Sequence, residues 1–258
     1  MNILVTGANG YLAQNLINSL NEYTVFGLTR ENNTLDYVLE CNPDIIIHTI
    51  CSYGRQGENV SQVYESNFVT GMFLLQAAKQ LNKPVTFVNC GTSLEKDTNL
   101  YSISKAHFVE LGKFLSNDNL QFINMNLEHF YGPGATNNFI SFVIQECKNN
   151  NDIPLTIGTQ CRDFVYIDDV CTAFSTVIDF AHLLDNFVEI DVGTGISTPV
   201  KQVVETIKDI TNSKSNLIFG AIPLRDNEVD EMKANTSKLN TLGWKPLHTL
   251  EQGLHKTI

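Results

Sequence analysis

The opening of the chain leaves few folds available to it. Asn2–Thr6 is a run of apolar and β-branched residues suited to a buried parallel strand. Gly7-Ala8-Asn9-Gly10-Tyr11-Leu12-Ala13 follows at once, and Leu12, Leu16, Ile17 and Leu20 then fall at helical spacing. A strand that turns through glycines straight into a helix is the first unit of an α/β fold, the Rossmann-type doubly wound parallel sheet. Gly7 makes the tight turn, Gly10 lets the backbone approach a pyrophosphate, and Ala13 is the small residue where helix meets strand. The pyrophosphate belongs at the helix N-terminus, where backbone N–H groups point outward. Gly7, Asn9, Gly10, Tyr11 and Leu12 are therefore candidate cofactor contacts.

The pattern of strand and helix continues. Thr24–Thr29 reads as the second strand, with Arg30 at its end. An acidic residue there bonds the ribose hydroxyl of NAD, whereas an arginine suits the 2′-phosphate of NADP. Glu31 is adjacent, and Arg30 favours NADP(H) over NAD(H). Asn33–Glu40 looks helical, and Asp44–Ile50 is the next strand. The short connection implies that one strand of an ideal doubly wound sheet is missing or vestigial. His48 and Thr49 end that strand where such folds pass the cofactor. The loop Ser52–Gly57 carries Tyr53 and Arg55 and is placed to face substrate. Val60–Leu81 reads as one long helix, apolar on nearly every side, so it packs on the sheet and on something else. A second copy of the chain, giving a homodimer, is the expected partner.

Pro84–Cys90 is a strand closed by Gly91-Thr92-Ser93. Tyr101, Lys105, Phe108, Gly112 and Leu115 then form one helical stripe facing the sheet. Within Tyr101-Ser102-Ile103-Ser104-Lys105, an ammonium beside a phenol is expected to lower the phenol's pKa, so that Tyr101 can exchange a proton with a carbonyl or alcohol near neutral pH. Gln121–Leu127 is the next strand, and Gly132-Pro133-Gly134 a hard turn. Asn138–Asn149 is a helix. The run from Gln160 to Val170 enters another helix, with Asp168 or Asp169 as its cap. Phe187–Asp191 is a strand, Thr198–Thr211 a helix, Leu217–Phe219 an edge strand, and Thr249–Lys256 a terminal helix. Residues 1–130, rejoined by about 165–195, are expected to form the dinucleotide-binding core. Residues 131–164 and 196–258 are expected to form a smaller substrate-binding lobe.

Composition narrows the partners. The 258 residues carry a net charge of −11, which argues against binding nucleic acid through a general positive field. Anionic ligands must then be held by local cations, and the only arginines are Arg30, Arg55, Arg162 and Arg225. The six cysteines include no C-x-x-C pair, which argues against a zinc site or a disulfide framework and for a reducing, cytoplasmic setting. No metal ligand set is evident. No apolar run approaches membrane-spanning length, and the N-terminus lacks the basic region of a signal peptide.

Together, Thr6–Ala13, Thr92, Tyr101–Lys105, Tyr131–Gly134, Arg162–Val170 and Arg225 resemble the extended short-chain dehydrogenase/reductase family, of the NAD-dependent epimerase/dehydratase type. The likeness spans essentially the whole chain. Residues Leu127–Gly134, Gln160–Asp163 and Ser52–Arg55 look most like the nucleotide-diphosphate 4-keto-6-deoxyhexose reductases of bacterial surface-polysaccharide synthesis. The resemblance implies that Tyr101 donates a proton and that Lys105 holds the nicotinamide ribose. It further implies that Thr92 bonds the substrate oxygen, that Asn67 lies near the ribose, and that Arg162 and Arg225 grip the substrate's nucleotide or pyrophosphate. The substrate candidates are Tyr53, Arg55, Thr92, Ser93, His129, Arg162 and Arg225, for a nucleotide-diphosphate sugar. The chain departs from the pattern at Ala13, His129 and Asn126, where glycine, asparagine and arginine are usual. Ser93 and Leu94 after Thr92 replace the acid pair of the dehydratases. A 4-epimerase uses the same Tyr, Lys and Thr, so that alternative stays open. A non-catalytic dinucleotide sensor commonly lacks the Tyr or Lys present here.

Overall fold

The computed structural model describes residues 1–136, 138–225 and 228–258. The chain divides into two compact units. One comprises Met1–Leu127 with Phe174–Asp191, and the other Glu128–Ala173 with Val192–Ile258.

The first unit is built on a parallel sheet of β1 (Asn2–Thr6), β2 (Thr24–Leu28), β3 (Ile45–His48), β4 (Val85–Thr92), β5 (Leu120–Leu127) and β9 (Phe187–Val192) in the order β2-β1-β3-β4-β5-β9. Helices α1 (Tyr11–Ser19), α2 (Leu35–Cys41), α3 (Val60–Tyr64), α4 (Thr70–Ala78) and α5 (Leu100–Leu115) connect the strands. The strands are short and apolar because they are covered on both faces. Ile3, Leu4, Val5, Ile46, Ile47, Phe87, Val88, Phe122 and Ile123 are fully buried. Phe87 and Phe122 stack with centroids 5.4 Å apart, and Phe108 of α5 meets both edge-on. The sheet ends at β2, with only α2 between β2 and β3, as the short connection implied. Strand order reverses between β1 and β3, and in such sheets ligands bind outside the carboxyl ends at that reversal.

The expected long helix from Val60 is interrupted. Glu65–Val69 forms a π-helical turn between α3 and α4, and α4 ends at Ala78. The Thr70 N–H and hydroxyl both donate to the Glu65 carbonyl five residues back, the latter at 2.8 Å. A π-turn inserts one extra residue and re-aims the side chains beside it, here those around Asn67.

The second unit has β8 (Cys161–Tyr166) at its centre, paired with β6 (His129–Tyr131), β10 (Ser197–Pro199) and β12 (Glu231–Met232). A separate pair joins β7 (Ile153–Leu155) and β11 (Leu217–Phe219). Its helices include α6 (Phe139–Asn149), α8 (Val200–Ile210), α9 (Ser237–Thr241) and α10 (Leu250–Thr257), and α7 (Ile167–Asp179) begins here. Sequence reading missed β8 and β6, because the partners of β8 come from three distant stretches. Asp169 also differs from expectation. It is fully buried and accepts from the N–H groups of Leu247 and His248 at 3.0 and 3.1 Å, so it ties the C-terminal segment to α7 rather than acting as a simple cap. Among the described residues no helix is long and apolar enough to cross a membrane.

Candidate active site

The glycine turn adopts the form its residues imply. Gly7 has φ +66°, and a Cβ there would lie 3.0 Å from Thr49 Oγ1 and 3.1 Å from Ile50 Cγ1. A Cβ on Gly10 would lie 3.0 Å from the Gly7 carbonyl oxygen. Helix α1 starts just beyond with no side-chain cap and no acidic residue in its first turn. Its first amides therefore present partial positive charge with no carboxylate in their own turn, which fits a diphosphate. Asn9 and Gly10 are exposed, and Tyr11 and Leu12 are half-buried. Thr49 fastens β3 to β1 across the strand-order reversal: its N–H donates to Thr6 Oγ1 at 3.1 Å and its hydroxyl to the Thr6 carbonyl at 2.6 Å. Arg30 is exposed just past β2. Asn32 folds that loop back by accepting from the Thr29 N–H at 2.6 Å.

His48 does not stand at the cofactor edge. It is fully buried, with Nδ1 3.0 Å from Thr6 Oγ1 and its ring against Phe87 and Phe108. Burial first, and the Lys105 charge second, push its pKa down to about 3, so the ring is neutral. Asn67 is also enclosed, and its polar atoms are taken up internally. Its Oδ1 accepts from the Ser52 N–H at 2.7 Å, and its Nδ2 donates to the Ser52 carbonyl and to Ser104 Oγ, both at 2.9 Å. It fastens the Ser52 loop to α5.

Thr92 ends β4, and Tyr101 lies in the first turn of α5, which Asn99 caps through a reciprocal bond with Ser102. The Tyr101 side chain is almost completely buried, with the Thr92 hydroxyl near enough to act on its phenol. The Tyr53 ring packs on Tyr101 with centroids 4.9 Å apart, and the Arg55 guanidinium lies over Tyr53 at 5.5 Å. Burial holds the Tyr101 phenol well above the usual range; Cys51 and Tyr53 add to this, and the Thr92 hydroxyl opposes it. This corrects the expected effect of Lys105. The lysine is 2% exposed, donates to the Cys90 carbonyl at 2.8 Å, and is not among the leading influences on the phenol. Its charge acts instead on His48 and on Cys90. Ser93 is half-buried just beyond β4, and its N–H donates to the Leu127 carbonyl. Sequence reading missed Ser104 and Cys51. Ser104 sits three residues after Tyr101, on the same helical face, which was a usable signal. Cys51 carried none.

The remaining candidates lie in the second unit. Arg162 is buried, donates to the Cys161 carbonyl at 2.7 Å, and forms an ion pair with Glu228. Asp163, next to it, is fully buried and accepts from the N–H groups of Thr194, Gly195 and Ala234. His129 is exposed, 3.7 Å from the Glu128 carboxylate, and Arg225 is exposed.

A dinucleotide cradle at a strand-order reversal, with half-buried Thr92 at the end of β4 and buried Tyr101 and Lys105 on α5, defines a class, and sequence comparison agrees. The chain belongs to the NAD dependent epimerase/dehydratase family, whose model matches residues 3–193. More particularly, it is 34% identical to CDP-abequose synthase of Salmonella muenchen, over 99% of this chain and 96% of that one. Its fold is that of UDP-glucuronic acid 4-epimerase from Bacillus cereus, solved with UDP-glucuronic acid and NAD, at TM-score 0.86 and 20% identity over 99% and 97% of the two chains. RMD from Pseudomonas aeruginosa, solved with NADPH, matches at TM-score 0.82 and 19% identity over 99% and 97%.

Proposed function

We propose that this chain is a nucleotide-sugar 4-ketoreductase. It reduces the 4-keto group of a nucleotide-activated 6-deoxyhexose with a nicotinamide dinucleotide, in the synthesis of bacterial surface-polysaccharide sugars. The observation that carries the reading is the Tyr101 phenol, buried beside the Thr92 hydroxyl at the end of β4, with buried Lys105 one helical turn on in α5. The reduced nicotinamide, when bound, supplies the hydride to the ketone carbon. Tyr101 then gives its proton to the substrate oxygen. Thr92 donates a hydrogen bond to the same oxygen, where negative charge grows, and donors preorganised in this way supply much of an enzyme's rate enhancement. Lys105, anchored on Cys90, holds the nicotinamide ribose, and Gly7, Gly10 and the α1 amides hold the diphosphate.

Arg30, standing where an acidic residue would bond the ribose of NAD, supports NADPH over NADH. Arg162 and Arg225 are the cations proposed for the sugar nucleotide's diphosphate, with Tyr53, Arg55, Ser93 and His129 as further contacts, and the second unit is the proposed substrate-binding lobe. CDP-abequose synthase, at 34% identity, supports a CDP-linked substrate. A homodimer is proposed through the outer faces of α3 and α5, where Val60 is exposed and Phe114 is 84% exposed. Phe114→Glu is expected to give a monomer in sedimentation velocity.

The deciding experiment monitors NADPH oxidation against CDP-, dTDP- and GDP-linked 4-keto-6-deoxyhexoses, with product stereochemistry read by NMR. Stoichiometric NADP⁺ and alcohol support a reductase. Interconversion of sugars by purified protein with tightly held NAD and no added cofactor identifies a 4-epimerase instead.

A further inference from the structure

Two buried polar atoms on one face of the central sheet have no partner among the described residues: His48 Nε2 and Asn89 Oδ1. They belong to residues paired in register across β3 and β4, at the last rung of that ladder. Counting hydrogens assigns each a sign. Thr6 Oγ1 accepts from the Thr49 N–H, and His48 Nδ1, 3.0 Å away, is the acceptor within reach of its buried hydroxyl proton. Nδ1 therefore accepts, and in a neutral ring Nε2 carries the proton. On Asn89 the amide nitrogen donates to Asn124 Oδ1 at 2.7 Å, which leaves Oδ1 as an acceptor. The two atoms are thus a donor and an acceptor on adjacent strands, facing the same way, yet not bonded to each other. Leaving both unmet would forfeit the hydration each had in the unfolded chain with nothing in return. A polar site enclosed in this way is where a bridging water is held. Lys105 completes the surroundings. Its ammonium is anchored on the carbonyl of Cys90, the residue after Asn89, and carries two further N–H groups.

We propose that His48 and Asn89 together hold one buried water on the sheet face beneath α5, and that this water is a second anchor of the Lys105 ammonium. The water accepts from His48 Nε2–H and from Lys105 Nζ, and donates to Asn89 Oδ1. His48 and Asn89 are then positioning residues for the lysine. The His48–Thr6–Thr49 chain of hydrogen bonds ties that lysine to the turn at Gly7. The assignment of Lys105 to the nicotinamide ribose rests on the proposed function; the water and the tautomer do not.

The test has three arms. Long-range ¹⁵N–¹H NMR of ¹⁵N-histidine protein, with His48 assigned by His48→Gln, is expected to show the Nε2–H tautomer, unchanged from pH 8 to 5. An Nδ1–H tautomer, or a titration within that range, overturns the proposal. A high-resolution crystal structure is expected to show one water within about 3.2 Å of His48 Nε2, Asn89 Oδ1 and Lys105 Nζ. A direct Nε2–Oδ1 contact, or a water that does not touch Lys105, overturns it. Asn89→Leu is expected to weaken NADPH binding, read by fluorescence, about fivefold, near the loss of one hydrogen bond. Unchanged NADPH affinity together with a lowered Tm would assign Asn89 a merely structural role and overturn its part in positioning the lysine.

Discussion

Tyr101 is where chemistry and burial meet most closely. Its phenol is held protonated by burial, beside the Thr92 hydroxyl, so the proposed proton donor is loaded in the free protein. Tyr101→Phe removes that proton and nothing of the dinucleotide cradle. Turnover is expected to fall by about a hundredfold or more while NADPH affinity, read by fluorescence titration, stays near wild type. His48 makes a second prediction, on stability. Its folded pKa is about 3 against an ordinary 6.5. Between those values the unfolded chain binds a proton that the folded chain refuses, so stability falls as pH drops through the window. The full loss is about 5 kcal/mol, reached near pH 3. Urea unfolding at pH 7, 5.5 and 4.5 checks this: His48→Gln should flatten the slope relative to wild type.

The elements place these residues with little tolerance. Helix α5 approaches β5 so closely that a Cβ on Gly112 would lie 2.3 Å from the Phe122 ring, itself stacked on Phe87. Gly112→Ala is expected to cost about 1–3 kcal/mol through overpacking. A thermal melt should show Tm lowered by about 3–10 °C. The π-turn at Glu65–Val69 is the other control point, because it aims Asn67 at both Ser52 and Ser104. Asn67→Leu releases the loop that carries Tyr53 and Arg55. Trypsin is expected to cleave after Arg55 several-fold faster in that variant, with the product identified by mass spectrometry. Unchanged cleavage would show that the loop is held by other means.

At the scale of the whole molecule, neither compact unit is continuous in sequence. The first needs Phe174–Asp191 to supply β9, which covers the edge of β5. Glu189 and Asp191 on β9 also accept from Asn124 and Asn126 of β5. A fragment of residues 1–127 would present β5 as an open edge with amides left unpaired, a template for association. Size-exclusion chromatography of that fragment is expected to show aggregates rather than a soluble monomer.

The sequence by itself determined the parallel sheet, the glycine cradle and the pairing of Tyr101 with Lys105 on one helical face. All three follow from local periodicity and turn chemistry, which neighbours along the chain encode. It also held the resemblance that placed Thr92 beside them. Tertiary structure decided what no local pattern records. It buried His48 and Asn67, both read as cofactor contacts, because the π-turn and the β3–β4 register close over them. It gave the Lys105 ammonium to the Cys90 carbonyl and left the Tyr101 phenol raised rather than lowered, since desolvation depends on everything packed around a group. It also made Cys161–Tyr166 the centre of a sheet, a role set by three partner strands that meet it only once the chain has folded.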